Sequence, residues 1–385
     1  MDLDTLIKKL DIGETSDFEC KAAENEFPKE AWKTISAFAN TNGGYLVLGI
    51  TEKKGKFYPS GIKNAAYQQQ NFWNAHNDKT KINIPLIDES DVNEIKIDDL
   101  SIIVIKVPRA SRTQRPIYIN NNPNTGTFKR QGEGDYLCTE IEVRQMLRDA
   151  NDRPQDSLII ENFDLNDIDR DALKAFRNRF SSRDPDHPFL ALDDLGLLEK
   201  LGAWKRDRNS NNEGLTIAGL LMFGKEQSIL DELPHYFLDY QERPSIDSTE
   251  WTYRLTSGDG RWEGNLFNFY YKIYNRLVID LDVPFKLDEN AIRTGETSVH
   301  KAIREAVANT LIHADHSATQ AITIIKHKDS FLFSNPGCLR ISVDQLFAGG
   351  QSDPRNPNIQ TMFRMIGLGE RAGSGFPRID RKSVV

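Results

Sequence analysis

Cysteine is scarce in this chain, and long apolar runs are missing. Cys20, Cys138 and Cys338 are the three cysteines among 385 residues. Their odd number and wide spacing exclude a disulfide framework and a cysteine-based zinc site. No apolar stretch is long enough to cross a bilayer, and the opening Met1-Asp2-Leu3-Asp4 lacks the basic and apolar regions of a secretory leader. The expectation is a cytoplasmic protein with no membrane partner. Excess positive charge is also missing: 49 Lys and Arg stand against 57 Asp and Glu, for a net charge of -8. That argues against coating nucleic acid by bulk attraction but leaves room for a local basic groove. There is no internal repeat.

What is present is a globular composition, 38% hydrophobic and 28% charged, over a length that suits two or three domains. In residues 1–150, helix and strand signals alternate. Asn42-Gly43-Gly44 makes a turn before a buried-strand run at 45–50, and 101–107 is a second strong strand closed by Pro108. Residues 116–119 and 127–130 read as shorter strands. Residues 139–147 read as a helix with Thr139 as N-cap and Glu142 at the capping-box spacing. A polar stretch at 148–156 marks the first boundary.

Residues 151–297 read as a helix-rich connecting region. A helix over 169–180 puts Leu173, Phe176 and Phe180 on one face, and another over 192–201 ends at Gly202. Strands are expected at 236–240 and 251–255. A helix over 266–277 carries Phe267, Tyr270, Tyr271 and Tyr274, either as core or as a stacking face for bases. Residues 298–385 read as a long helix, a hairpin and glycine-rich loops. The fold class expected is α+β multidomain.

Within 299–313, Val299, Ala302, Ile303, Ala306, Val307, Thr310 and Leu311 form a core stripe. Glu305, Asn309 and His313 lie four apart and share another face. An acid and an amide at that spacing suit a triphosphate with a divalent ion. The Asn oxygen is a hard ligand for magnesium, and the Glu can orient or deprotonate an attacking water. Solvent-facing polar residues are the plain alternative. Glycines in Ser334-Asn335-Pro336-Gly337 and in the loops at 347–352 and 367–375 permit close backbone approach and N–H cradling of phosphate.

The run Arg304-Glu305-Ala306-Val307-Ala308-Asn309, then Leu311-Ile312-His313-Ala314-Asp315-His316-Ser317, Ser334-Asn335-Pro336-Gly337, Pro354-Arg355-Asn356-Pro357 and the Gly-Ser-Gly loop, resembles a divergent GHKL ATPase domain. This is the gyrase, MutL and histidine-kinase superfamily, in the branch paired with Schlafen-type domains. The resemblance implies a Bergerat-type α/β sandwich at 298–385 that binds ATP with Mg2+, or Mn2+ in its place. It implies Glu305 as the water-activating base and Asn309 as the metal ligand. Asn335 and Gly337 would sit in the purine-side loop, and Gly373 and Gly375 in the phosphate lid. His313, Arg355 and Asn356, in the same motifs, count with the nucleotide contacts. The chain has His313-Ala314-Asp315-His316 where the branch commonly has His-Arg-Asp-Tyr, and Asn335 where better-known relatives use Asp.

At the other end, a strand over 18–21 would point Glu19 and Lys21 to one face. Glu14 lies just before it, and Glu52 follows the 45–50 strand. Three carboxylates beside a lysine can hold one or two divalent ions for phosphodiester cleavage; ordinary surface acids with an ion pair are the alternative. Lys33, Arg109, Arg112, Arg115, Lys129 and Arg130 offer a basic groove, with three arginines in one short loop.

Residues 14–21 and the string Ser36-Ala37-Phe38-Ala39-Asn40-Thr41-Asn42-Gly43-Gly44 resemble the Schlafen-type, AlbA-related domain, and Phe128-Lys129-Arg130-Gln131-Gly132 resembles its second patch. The resemblance implies an N-terminal domain over 1–150 that handles nucleic acid, RNA or DNA. Some Schlafen proteins cleave structured RNA with three acids, two of which correspond to Glu14 and Glu19; the third, usually an Asp, falls at Thr51-Glu52. The expected function is an ATP-binding, nucleic-acid-acting protein, a metal-dependent endonuclease controlled by the ATPase-type domain and suited to host defence. The alternatives are a non-catalytic nucleic-acid-binding regulator with an ATP sensor and an ATPase-driven assembly scaffold. Self-association into a homo-oligomer stays open.

Overall fold

The strongest apolar runs become central strands. In the computed structural model, which describes residues 1–281, 297–350 and 352–369, the chain divides into two compact units, Met1–Asp152 and Arg153–Val385. No helix among the described residues is long and apolar enough to cross a membrane.

The first unit contains α1 (Leu3–Ile12), β1 (Phe18–Lys21), α2 (Ala31–Asn40), β2 (Gly44–Leu48), β3 (Ile50–Lys53), β4 (Lys56–Pro59), α3 (Ala65–His76), β5 (Val92–Ile97), β6 (Leu100–Val107), α4 (Pro123–Gly126), β7 (Phe128–Gln131), β8 (Gly134–Leu137) and α5 (Glu140–Ala150). Its main sheet has the order β1-β2-β6-β5, with β1 parallel to β2 and the other pairs antiparallel. Successive side chains alternate across a strand. Leu46, Leu48, Ile103 and Ile105 therefore face one core with Ile35, Phe38 and Phe72, while Val47, Ile102 and Val104 face a second core with Leu6, Leu10 and Phe18.

The Asn42-Gly43-Gly44 turn is as tight as its glycines suggest. Gly43 has φ +78°, and a Cβ there would lie 2.8 Å from the Val107 carbonyl. The 45–50 run breaks at Gly49, with φ +93°, so β3 leaves the main sheet and pairs with β4 instead. Residues 116–119 form only isolated bridges, Ile82 to Ile119 and Tyr118 to Thr127, while β7 pairs with β8 in a hairpin.

These two segments are tied to α2 by buried side chains. The Asn40 amide donates to the carbonyls of Ile117 (2.8 Å) and Phe128 (2.9 Å) and accepts from the Ile117 N–H (2.8 Å). Ser36, one turn earlier, donates to the Ile117 carbonyl (2.8 Å) and accepts from the Phe128 N–H (3.0 Å). Thr139 and Glu142 make the expected capping box on α5.

The second unit contains α6 (Arg170–Arg183), α7 (Asp194–Leu201), β9 (Trp204–Arg206), β10 (Glu213–Leu215), α8 (Ile217–Phe223), α9 (Glu226–Glu232), β11 (Leu238–Glu242), β12 (Tyr253–Thr256), α10 (Leu266–Val278), α11 (Ser298–Ile312), β13 (Ile322–Lys326), β14 (Phe331–Ser334), α12 (Val343–Ala348) and α13 (Pro357–Met365). Its mixed sheet runs β12-β11-β13-β14, with β11 parallel to β13. A parallel pair needs a long crossover, and here the intervening chain supplies α10 and α11. One core joins Phe176, Phe223, Tyr270, Val307, Ile324 and Phe363.

Phe267 and Tyr270 are buried, and Tyr271 and Tyr274 pack against the same core. The aromatic face of α10 is therefore core, not a stacking platform. Val299, expected in the α11 stripe, is exposed, while His300, Ala308 and Ile312 are buried instead.

Asn40→Ala strips hydrogen-bond partners from the buried backbone of Ile117 and Phe128. It is expected to destabilise the first unit by about 3 kcal/mol, read as a lower urea midpoint in the fluorescence of Trp32 and Trp73.

Candidate functional site

In the first unit, β1 is an edge strand of the main sheet. Phe18 and Cys20 face the core, so Glu19 and Lys21 take the other side. Glu14 folds back so that its carboxylate accepts the Cys20 N–H at 3.0 Å. Glu19 is only 4% exposed. One of its oxygens accepts from the Lys21 ammonium and the other from Arg130 Nη2 (2.8 Å).

Arg130 is itself buried, 6% exposed. Its Nη1 donates to Asp135 (2.9 Å), its Nη2 also reaches the Thr15 carbonyl (2.8 Å), and its guanidinium lies 5.1 Å from the centroid of the Phe38 ring. Asp135 accepts in turn from the Thr34 hydroxyl (2.6 Å), and the Arg130 N–H donates to Thr41 Oγ1 (2.9 Å).

Charge is tightly managed here. Burial, reinforced by the Glu19 charge, raises the Glu14 carboxyl against the opposing Cys20 N–H bond. Burial and the charges of Glu14 and Glu19 push the Cys20 thiol far up, so it stays protonated. Burial works against the Arg130 charge, but the bonds to Asp135 and Glu19 outweigh it and raise its pKa.

Glu14, Glu19 and Lys21 thus come together, and Glu52 does not join them. The turn at Gly49 carries Glu52 out on β3, where it is exposed. Among the described residues no group of three or more His, Cys, Asp and Glu side chains is placed to hold a metal ion.

The expected basic groove is also largely spent on the fold. Arg112 donates to the carbonyls of Asp149 and Asn151 (3.0 Å to the latter) at the end of α5, a natural place for a cation. Arg115 and Arg130 are buried. Lys33 pairs with Glu30 (2.7 Å) and Lys129 with Glu142 (2.6 Å). Arg109 is half-buried. Asp135, Thr34 and Thr41 were missed in the sequence because their role exists only through Arg130.

In the second unit, Glu305 and Asn309 are half-buried neighbours on α11, and the Asn309 amide donates to Glu305 Oε1 at 3.3 Å. His313 caps the end of the helix. Arg355 donates to the carbonyls of His313 (3.3 Å) and Cys338 (3.0 Å). Asn356, buried, donates to the carbonyls of Ile312 (2.9 Å) and Ala314 (2.8 Å). Arg355 and Asn356 therefore satisfy the orphan carbonyls at a helix end.

Gly337 is exposed at φ +114°, and a Cβ there would lie 2.9 Å from Arg355 Nη2. The Asn335 amide donates to the Pro336 carbonyl at 3.4 Å. His313, Gly337, Arg355 and Asn356 thus gather at the end of α11, with Asn309 and Glu305 further up the helix. Gly373 and Gly375 lie outside the described residues.

Residues 14–139 match the family Schlafen, AlbA_2. Residues 144–239 match a domain of unknown function, DUF8451, and residues 320–384 match the family described as "Putative ATP-dependent DNA helicase recG C-terminal". The chain carries a Schlafen/AlbA_2 domain at its N-terminus and an ATPase-like domain of the RecG C-terminal class at its C-terminus.

Among solved structures, the DIP2311 protein of Corynebacterium diphtheriae is similar at 19% identity over 94% of this chain and 59% of that chain, with a TM-score of 0.42. The chain thus spans about three fifths of that protein's length. The N-terminal domain of a "Putative ATP-dependent DNA Helicase RecG-related Protein" from Nitrosomonas europaea is similar at 27% identity over 35% of this chain and 92% of that chain, with a TM-score of 0.28. No curated protein matches.

Burial lowers the pKa of His316 to about 4, partly countered by its bond to the Leu311 carbonyl. The fold therefore favours neutral imidazole. That stability is present above the unfolded value of about 6.5 and is lost as pH falls toward 4. Calorimetry on His316→Gln is expected to show a shallower loss of Tm between pH 6.5 and 4 than the native chain shows.

Proposed function

We propose that this chain is a nucleic-acid-acting, ATP-binding protein: a nucleic-acid-binding regulator whose ATPase-like part senses or uses nucleotide. In this reading residues 1–150 handle nucleic acid and 298–385 take the nucleotide, with β11 and β12 of the 151–297 stretch sharing the sheet and core of β13 and β14. The observation that carries it is the ion network at β1. Glu19 has both oxygens held by cations of the chain itself, and the half-exposed Lys21 ammonium stands at the strand end, where a phosphate oxygen can meet it. The Schlafen/AlbA_2 match over 14–139 supports nucleic acid as the ligand.

Glu305 and Asn309 suit the nucleotide. The Asn309 nitrogen is turned to Glu305, so its oxygen is the atom that would ligate Mg2+, or Mn2+, accompanying a triphosphate. The bound ion would offset phosphate charge there. Glu305 would orient the attacking water, and Gly337 leaves its loop open to close approach. RNA or DNA remains the partner class.

The second reading, a metal-dependent endonuclease, is favoured by the placement of Glu14, whose carboxylate bonds the N–H of the residue next to Glu19.

Fluorescence anisotropy with labelled tRNA, single-stranded RNA and DNA separates the two. The regulator binds with a log affinity that falls linearly with log salt, and Lys21→Ala reduces that slope by about one. Strands stay intact with Mg2+ or Mn2+, with or without ATP. Cleavage that disappears in Glu14→Ala/Glu19→Ala establishes the endonuclease instead. Asn309→Ala is expected to weaken binding of a fluorescent ATP analogue in Mg2+ by roughly tenfold; unchanged affinity would remove α11 from the nucleotide site.

A further inference from the structure

We propose that Arg130 and Lys21 together hold Glu19, so that the Glu14–Glu19 acid pair takes no divalent ion and the first unit engages phosphate backbones without a metal. This rests on the nucleic-acid reading of the same site and goes beyond it.

The donor set does not fit a metal. A carboxylate ligand must turn an oxygen toward the ion, and Mg2+ demands near-octahedral geometry and keeps several waters. Glu19 Oε1 is held by the Lys21 ammonium and Oε2 by Arg130. Glu14 Oε1 is held by the Cys20 N–H. The third acid of the neighbourhood, Asp135, bonds Arg130 and the Thr34 hydroxyl.

Arg130 is also immobilised. Its N–H is bonded to Thr41, its guanidinium also reaches the Thr15 carbonyl, and the Phe38 ring lies beneath it. A guanidinium is not deprotonated in proteins, so raising the pH does not free the acids. Admitting an ion would break a buried arginine–carboxylate pair and leave a charge without its partner. The arginine does what a cation does for two carboxylates, Glu19 and Asp135, and it does so from inside the fold. Lys21, whose side chain is 28% exposed against 1% for Arg130, is the cation of the set that faces solvent and an incoming phosphate.

The experiment is a Mn2+ titration of the full chain without nucleotide, reading free Mn2+ by its EPR signal, for the native chain, Glu14→Gln and Arg130→Gln. The native chain and Glu14→Gln are expected to agree within about twofold, because any Mn2+ bound elsewhere is common to both, whereas Arg130→Gln gains a site at least about tenfold tighter. A native-chain site that Glu14→Gln weakens by about tenfold overturns the proposal, and so does a folded Arg130→Gln that gains nothing. If Arg130→Gln does not fold, the first comparison still decides.

A parallel anisotropy measurement uses the native chain with labelled tRNA in EDTA. Undiminished affinity supports the proposal, and binding lost in EDTA but restored by Mg2+ overturns it. If no RNA or DNA binds under any condition, the nucleic-acid reading fails, while the Mn2+ comparison still judges whether Arg130 fills a metal's place.

Discussion

Everything at the N-terminal site hangs on two small polar side chains spaced one helical turn apart. The segments around Ile117 and Phe128 have no continuous ladder to the main sheet, so their buried peptide groups need partners from elsewhere. Ser36 and Asn40 supply them from α2. An amide is suited to this because it presents a donor and an acceptor side by side, as a strand backbone does. With Phe128 fixed, β7 starts at a defined point, Arg130 falls over Phe38, and its guanidinium reaches Glu19 on β1. The helix is in effect a missing strand.

The second unit uses the same economy at its helix ends. Arg355 and Asn356 close the end of α11. Asp156, fully buried, accepts the N–H groups of Asn358 and Ile359 at the start of α13, and burial raises its carboxyl to about 7. The Arg355-Asn356 pair, suggestive of ligand contact when read as a motif, has an architectural use: it brings the 354–357 loop onto the same helix end that presents His313. The same contacts seat the Gly337 loop against Arg355 at that helix end.

Much of this was legible in the residues. Continuous apolar runs marked β2 and β6, and apolar faces marked α6, α10 and α11. Thr139 with Glu142 announced the start of α5, and Gly202 the end of α7. The likeness of 14–21 and 36–44 to Schlafen-type domains, and of the C-terminal motifs to an ATPase class, agrees with the families matched. What was not legible depends on contacts between distant residues. Gly49 looked like part of a strand, yet its left-handed φ sends Glu52 away from Glu19. Arg112, Arg115 and Arg130 looked like surface cations, and only the packing of α5 and β7 shows the first capping a helix and the other two buried. A charge read from sequence has a sign but no address; burial supplies it.

The network of bonds through Thr15, Glu19, Thr34, Thr41, Arg130 and Asp135 draws on three separate stretches of chain. A missense allele at any of the charged members disturbs a buried ion pair before it disturbs any ligand. Loss of phenotype in such alleles would therefore report how much folded protein survives in the cell as well as what the site does, and only alleles that keep protein abundance normal speak to chemistry.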